Sequence, residues 1–275
     1  MPIPTVDLNA VKLAQQQMWT AGDYGRVGTT LVLMGELLCE AADLRAGWRV
    51  LDVATGSGNT ALSAARRHCR VSGIDYVPEL LEQARARAAA ERLDVEFTTG
   101  DAEQIPFPDR SFDAVLSTIG VMFAPDHARA AAELVRVARP GATIGLTAWT
   151  PDGFVGEMFA LYARYVPAPP GLPSPLLWGT EAHLRHLFGD ALRTLRTTLR
   201  SQVFRYPSPA SYVEFYRTWF GPTMRTFAAL DGAGRTALAS EFEALVRRHN
   251  RAGDGTLILA ADYLEAVAAV AGTAS

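Results

Sequence analysis

The sequence predicts an α/β fold: a parallel sheet with right-handed crossovers, extended by a partly helical cap. Between residues 48 and 150, short apolar, β-branched runs alternate with helical stretches, as successive βαβ units require. The first of these runs ends in a glycine-rich turn that opens directly into a helix. The length of 275 residues exceeds one average domain and falls short of two, which leaves room for an addition to the sheet.

Each element has a local reason. WRVLDVA (48–54) is a strand by its apolar run, and NTALSAARRH (59–68) is a helix ending in Arg66, Arg67 and His68, where the dipole favours cations. RVSGID (70–75) is the second strand. Pro78 opens the next helix at its first position, with Glu79 and Glu82 near its start and Leu80, Leu81, Ala84 and Ala88 as its buried face. DVEFTT (94–99) and FDAVLST (112–118) are the third and fourth strands. A helix starts near Pro125 and Asp126 and stops at Pro140-Gly141, and ATIGLTAW (142–149) is the fifth strand. The remainder is more helical. It reads as a helix over 155–166, a proline-rich loop over 167–175, and a helix over 181–188 capped by Thr180. A strand over 195–206, helices over 208–220 and 235–250, and a last strand over 264–270 complete it.

Composition narrows the function. With 49% hydrophobic and 20% charged residues the chain can bury a full core, which excludes wholesale disorder. A net charge of −3 gives no basic track for nucleic acid. Lys12 is the one lysine among 26 Lys and Arg, a bias that reads as GC-rich bacterial coding and not as phosphate binding. Cys39 and Cys69 form no C-x-x-C pair, so neither a disulfide framework nor a metal site is expected. The first residues lack a signal-peptide pattern, and no apolar run reaches the roughly 18 residues that span a bilayer. The expectation is a cytoplasmic protein with no membrane partner.

Chemistry concentrates in Asp52-Val53-Ala54-Thr55-Gly56-Ser57-Gly58-Asn59. Glycines between a strand and a helix let a ligand approach the backbone, facing the free N–H groups of the helix start. A tight turn without a ligand would use the same glycines, and Gly56-x-Gly58-x-x-Ala61 fits dinucleotides as well. Asp75, ending the second strand, is placed to accept both hydroxyls of a ribose, again for either cofactor; it could also serve as a helix cap. The stretch Gly100-Asp101-Ala102-Glu103 breaks the tie, because an acid followed by a free backbone N–H can read the edge of an adenine. An NAD(P)-dependent oxidoreductase lacks support here, since no Tyr-x-x-x-Lys relay is present. A cofactor-binding protein without catalysis is a further alternative.

LDVATGSG, GIDYVPELLEQA, GDAEQIPFPDRSFDAV and LVRVARPGATIGLTAW together resemble class I S-adenosylmethionine-dependent methyltransferases, in particular the ubiquinone/menaquinone-biosynthesis type acting on small molecules. The resemblance covers about residues 17 to 155. It implies a doubly wound, Rossmann-like sheet of seven strands in the order 3-2-1-4-5-7-6, with strand seven antiparallel. It implies one domain over 1–275, with a lid over 1–30, a cofactor core over 30–150, a cap with acceptor-binding insertions over 151–255 and a last strand over 256–275. It also implies roles. Asp52 organises the turn, with Gly56, Gly58 and Asn59 bordering the methionine and ribose. Asp75 holds the ribose, Tyr76 packs on the adenine, and Asp101 and Ala102 read its edge. Ser117 and Thr118 meet the methionine ammonium by backbone carbonyl or hydroxyl, and Tyr24 or Arg26 its carboxylate. Ala54 stands where this family most often has glycine, so its φ is expected below zero.

The acceptor site is expected at the C-terminal ends of the strands. Trp19, Met122, Phe123, Trp149, Trp178, Tyr216 and Trp219 are its candidate walls, and with Tyr212 the last two give one helix face an aromatic stripe. Such a stripe equally suits core packing. Walls of this kind fit a neutral, largely planar metabolite. His127 and His249 read as solvated helix positions, and His183 and His186 lack a third ligand for a metal.

Overall fold

The computed structural model describes residues 6–272. The ends of the 1–30 lid and of the 256–275 strand region that lie beyond these bounds fall outside the described residues. Three helices precede the sheet: α1 (Leu8–Ala21), α2 (Tyr24–Thr29) and α3 (Val32–Ala41). Sequence patterning had assigned none of them. Asp7 starts α1, its carboxylate accepting from the backbone of Asn9 and Ala10.

The α/β units follow: β1 (Arg49–Val53), α4 (Asn59–Arg66), β2 (Arg70–Asp75), α5 (Pro78–Glu91), β3 (Val95–Thr99), β4 (Phe112–Thr118), α6 (His127–Val137) and β5 (Ala138–Trp149). The chain then forms α7 (Phe154–Tyr165), α8 (Glu181–Phe188), β6 (Leu192–Tyr206), α9 (Pro209–Trp219), α10 (Gly221–Ala228), α11 (Gly232–His249) and β7 (Leu257–Val270). The sheet order is β3-β2-β1-β4-β5-β7-β6, with β7 antiparallel to both neighbours, as the resemblance implied. Alternation places Leu51 and Val53 on one face of the sheet and Val50 on the other, each in its own apolar cluster.

Two boundaries move for reasons of pairing. The sixth helix stops at Val137 and not at Pro140, because the backbone N–H groups of Arg110 and Ser111 take the carbonyls of Arg136 and Val137 and draw the chain into β5. The last strand starts at Leu257, seven residues before the patterned stretch, because β6 pairs with it from Tyr206 to Leu192. Thr180 caps α8 as expected, and Ser208 and Ser211 form a capping box at α9. Among the described residues no helix is long and apolar enough to cross a membrane. Cys39 and Cys69 are buried free thiols.

Candidate active site

The C-terminal ends of β1, β2 and β4 converge on a cleft of about 660 Å³, including its open mouth. Asp52, last but one in β1, is buried there. Its Oδ2 accepts from the Thr55 hydroxyl at 2.5 Å and from the Ala61 N–H at 3.0 Å, while Oδ1 has no partner. Burial pushes its pKa up to about 7, although these two hydrogen bonds oppose the shift. Asp75 closes β2 in the same cleft. Its oxygens accept the backbone N–H of Gly56 at 2.8 Å and of Val77 at 2.9 Å, and burial pushes its pKa up to about 6. Asp75 therefore splices the glycine turn to β2, and its carboxylate lines the cleft.

The turn is left-handed at Gly56 (φ 54°), at Gly58 (φ 87°) and also at Ala54 (φ 53°). The expectation of a negative φ at Ala54 was therefore wrong. The Thr55 N–H donates to the Ile74 carbonyl, and Gly120 lies so close that an added Cβ there would stand 2.7 Å from both Cβ and O of Ala54. These two neighbours hold the turn, and Ala54 accepts a backbone that glycine adopts more easily.

Tyr24, Ala54, Asn59, Tyr76 and Thr118 line the cleft with these groups, and Thr60 donates its hydroxyl to that of Thr118. Asn59 is held at both ends of its amide, donating to the Gly28 carbonyl and accepting from Arg87. An adjoining cavity, sharing Tyr76, Gly120 and Phe123, is lined by Lys12, Asp101 and Ala102. Thr118 lines the cleft, whereas the side chain of Ser117 does not. It is fully buried, its hydroxyl donating to the Val53 carbonyl and accepting from the Val121 N–H. Arg26 also turns away, its guanidinium lying 4.6 Å from the centre of the Trp219 ring.

Beyond a neck formed by Tyr24, Leu31, Ile119 and Phe123 lies an apolar chamber. Its walls include Trp149, Phe204, Tyr212, Tyr216 and Phe220. Tyr212 and Tyr216 stack at 4.3 Å, and burial raises both phenols well above the ordinary tyrosine range. Phe123 and Trp19 reach the cofactor side, Trp19 packing edge-on against Tyr24 and Phe123.

Three proposed wall residues lie elsewhere. Met122 is fully buried in a 3₁₀ turn, so its side chain fills the core. Trp178 is buried against His127, His183 and Phe188. Trp219 sits on α9 under Arg26, outside the chamber that Tyr216 lines. The histidines correct as well. His127 is buried, with Nδ1 2.9 Å from Nε2 of His183, and burial lowers its pKa to about 4. His249 packs on Phe154 and pairs with Glu157. No three metal-ligating side chains cluster among the described residues.

Reading from the sequence missed Lys12, Gln15, Gln16, Leu31, Phe204 and Phe220. For the first three a signal existed: with Trp19 they repeat at i, i+3, i+4, i+7, the spacing of one helix face.

The cleft fits S-adenosylmethionine on its own geometry. The unpartnered, buried Oδ1 of Asp52 is an acceptor waiting for a donor, as a methionine ammonium would be. Left-handed Gly56 keeps a side chain out of the cradle, where an added Cβ would stand 3.7 Å from the Tyr24 ring. Gly58, expected beside the cofactor, faces away from the cleft, an added Cβ there meeting Ala84 and Phe97. Asp75 lines the cleft and Asp101 the cavity that adjoins it.

Comparison with known proteins agrees. A family model described as a methyltransferase domain matches residues 51–146. The chain is 39% identical over 243 residues to the uncharacterized protein Rv1405c of Mycobacterium tuberculosis, covering 87% of this chain and 88% of that one. It is 36% identical over 159 residues to the demethylmenaquinone methyltransferase of Thermus thermophilus, covering 52% of this chain and 72% of that one. In fold it is similar to the YcgJ protein of Bacillus subtilis, with a TM-score of 0.61 at 20% identity over 89% of this chain and 99% of that one. With the sheet order, the glycine cradle and these relatives in agreement, the chain belongs to the class I S-adenosylmethionine-dependent methyltransferases, resembles their quinone-biosynthesis type, and uses S-adenosylmethionine as its methyl donor.

Proposed function

We propose that the acceptor is a small, largely planar aromatic or amphipathic metabolite of the cytoplasm, bound in the chamber behind Tyr24, Leu31, Ile119 and Phe123. The observation that carries this reading is that neck, whose four residues face both the cofactor cleft and the aromatic chamber. In this reading the described part of residues 1–30 is the lid, 30–150 the cofactor half and 151–255 the acceptor side, with β7 (Leu257–Val270) as the last strand.

Bound S-adenosylmethionine supplies an electrophilic methyl group on a sulfonium. Asp52 accepts from its ammonium, Asp75 from its ribose hydroxyls, and Asp101 with the Ala102 N–H reads its adenine. Tyr24 stands at the junction, its ring edge near Gly56. The chain's part in the reaction is alignment and exclusion of water, which can lower a barrier by about 7–11 kcal/mol. The titratable groups of the chamber wall are Tyr24, Tyr212 and Tyr216, whose burial keeps their phenols protonated, so they donate hydrogen bonds and take no proton from the acceptor. No basic track accompanies the chamber wall, which supports a metabolite and not a nucleic acid as acceptor.

The test is methyl transfer from labelled S-adenosylmethionine to a panel of hydroxyaromatics, quinols, aromatic amines, phosphosugars and DNA, with mass spectrometry of compounds that co-purify. Transfer confined to planar aromatic members is expected. Transfer confined to phosphorylated or polymeric members overturns the reading.

A further inference from the structure

One face of α1 is built to hold the cleft. Lys12 Nζ lies 2.6 Å from Oδ2 of Asp101 and 2.5 Å from Oε2 of Glu103. Gln15 donates to the Phe123 carbonyl at 3.1 Å, and Gln16 to the Tyr76 carbonyl at 2.6 Å. Trp19 completes the row among Tyr24, Phe123 and Phe220. Positions 12, 15, 16 and 19 share one helix face, and every one of them grips a wall of the cleft.

The two carboxylates under Lys12 are different in kind. Glu103 is a fixed post: 3% exposed, its other oxygen accepts from the Asp126 N–H at 2.8 Å. Asp101 is half-exposed and lines the adenine side of the cleft, its Oδ1 already accepting from the Glu103 N–H. An ammonium bridging the two carboxylates cancels their repulsion and fixes the direction in which Asp101 presents its remaining lone pairs. Burial alone would lower the Lys12 pKa, but hydrogen bonds to Asp101 and Glu103 override it and raise the pKa, so the bridge is cationic at neutral pH.

We propose that Lys12 is a positioning residue for the cofactor, a latch that ties α1 to Glu103 and aims Asp101 at the adenine amino group. The proposal rests on the reading of Asp101 as the adenine acid. Without the cation, Asp101 and Glu103 repel across the adenine side, α1 loses its strongest polar tie, and bound cofactor escapes faster. As the chain's one lysine, Lys12 can be followed by amine chemistry with little background.

The experiment has two arms on the full chain. In the first, S-adenosylhomocysteine binding is measured by calorimetry and stopped flow for the wild type, Lys12→Met and Lys12→Arg. Lys12→Met should weaken affinity at least tenfold, mainly through a faster off-rate, and Lys12→Arg should recover most of it. Unchanged or tighter binding by Lys12→Met overturns the latch, because Lys12 would then be a bystander or a competitor of the adenine. In the second arm the wild type is labelled with an amine-reactive ester, and Lys12 is quantified by peptide mass spectrometry. Saturating S-adenosylhomocysteine should slow its labelling at least fivefold, and an unchanged rate overturns the latch without any variant having to fold. A wild type that binds no S-adenosylhomocysteine would instead reject the cofactor assignment itself, a result separable from either of these.

Discussion

At the scale of single residues, the cleft is governed by two buried carboxylates with raised pKa values. Asp75 accepts a backbone N–H on each oxygen, so even the isosteric Asp75→Asn turns an amide NH₂ against one of those donors. We expect a loss of about 1–3 kcal/mol of stability in denaturant titrations, together with at least tenfold weaker S-adenosylhomocysteine binding. The pH dependence follows from Asp52 at about 7 and Asp75 at about 6, both raised by burial. In this window the folded chain holds more protons than the unfolded one, so both groups subtract stability as pH rises from the ordinary aspartate range to about 7. A ligand ammonium and ribose hydroxyls favour the charged carboxylates and oppose that trend. Binding of S-adenosylhomocysteine should therefore release protons, and affinity should rise by up to about tenfold per pH unit for each proton released as pH climbs toward 7. Calorimetry in buffers of different ionisation enthalpy checks this; an affinity flat with pH would separate both aspartates from the ligand. At Gly120 an added Cβ would meet the Ala54 carbonyl oxygen at 2.7 Å, so Gly120→Ala should lower stability by about 1–3 kcal/mol and distort the turn beside it.

At the scale of elements, α9 separates two kinds of aromatic residue that the sequence presents as one stripe. Tyr216 is 5% exposed, stacked on Tyr212 and edge-on to Phe204 and Phe220. Trp219, one turn on, is partly buried and carries the Arg26 guanidinium on its face. Tyr216→Ala should cost about 3–5 kcal/mol, as for a buried aromatic side chain removed from a core. Trp219→Ala should cost less than half of that, because its cation–π contact at a partly exposed site contributes only about 0.5–1 kcal/mol. Equal losses in paired urea titrations would contradict this division of the helix. The helix was legible by its period, but its orientation was not, because the face that meets the chamber is fixed by α2, α10, α11 and β6 packing around it.

At the scale of the whole molecule, the cleft draws on segments from both ends of the chain's order: α1 and α2 close over turns from β1, β2 and β4, and β6 with α9 walls the chamber behind them. Filling the cleft should therefore stabilise the chain as a unit. At a hundredfold excess over Kd, S-adenosylhomocysteine adds about 2.7 kcal/mol and should raise Tm by roughly 5 °C for a chain of this size. NADH should leave Tm unchanged, and a shift with NADH alone would revive the dinucleotide reading of the glycine turn. Methyl transfer should persist in a strong chelator, since no ligand cluster occurs among the described residues. Activity lost to the chelator and restored by magnesium would mean that a metal takes part.

The sequence by itself determined the strands and the cradle, and the family resemblance implied the order of the sheet. The apolar strand runs, the glycine turn and the acids at 52, 75 and 101 are local in the chain, each set by neighbours a few positions away, and the acids at 52 and 75 line the cleft and the acid at 101 the cavity beside it. The three N-terminal helices, the length of β7 and the choice among aromatic wall residues were decided by tertiary structure. Trp178 and Met122 look like wall residues in the chain, but they fill the core because packing with His127, Phe188 and the sheet buries them more completely than a cavity would. Ala54 shows the same division on the smallest scale. Its side chain favours a negative φ, but Gly120, the Ile74 carbonyl and the turn around them hold it left-handed. Local propensity contributes about 1 kcal/mol at such a position, and the closely packed surroundings outweigh it.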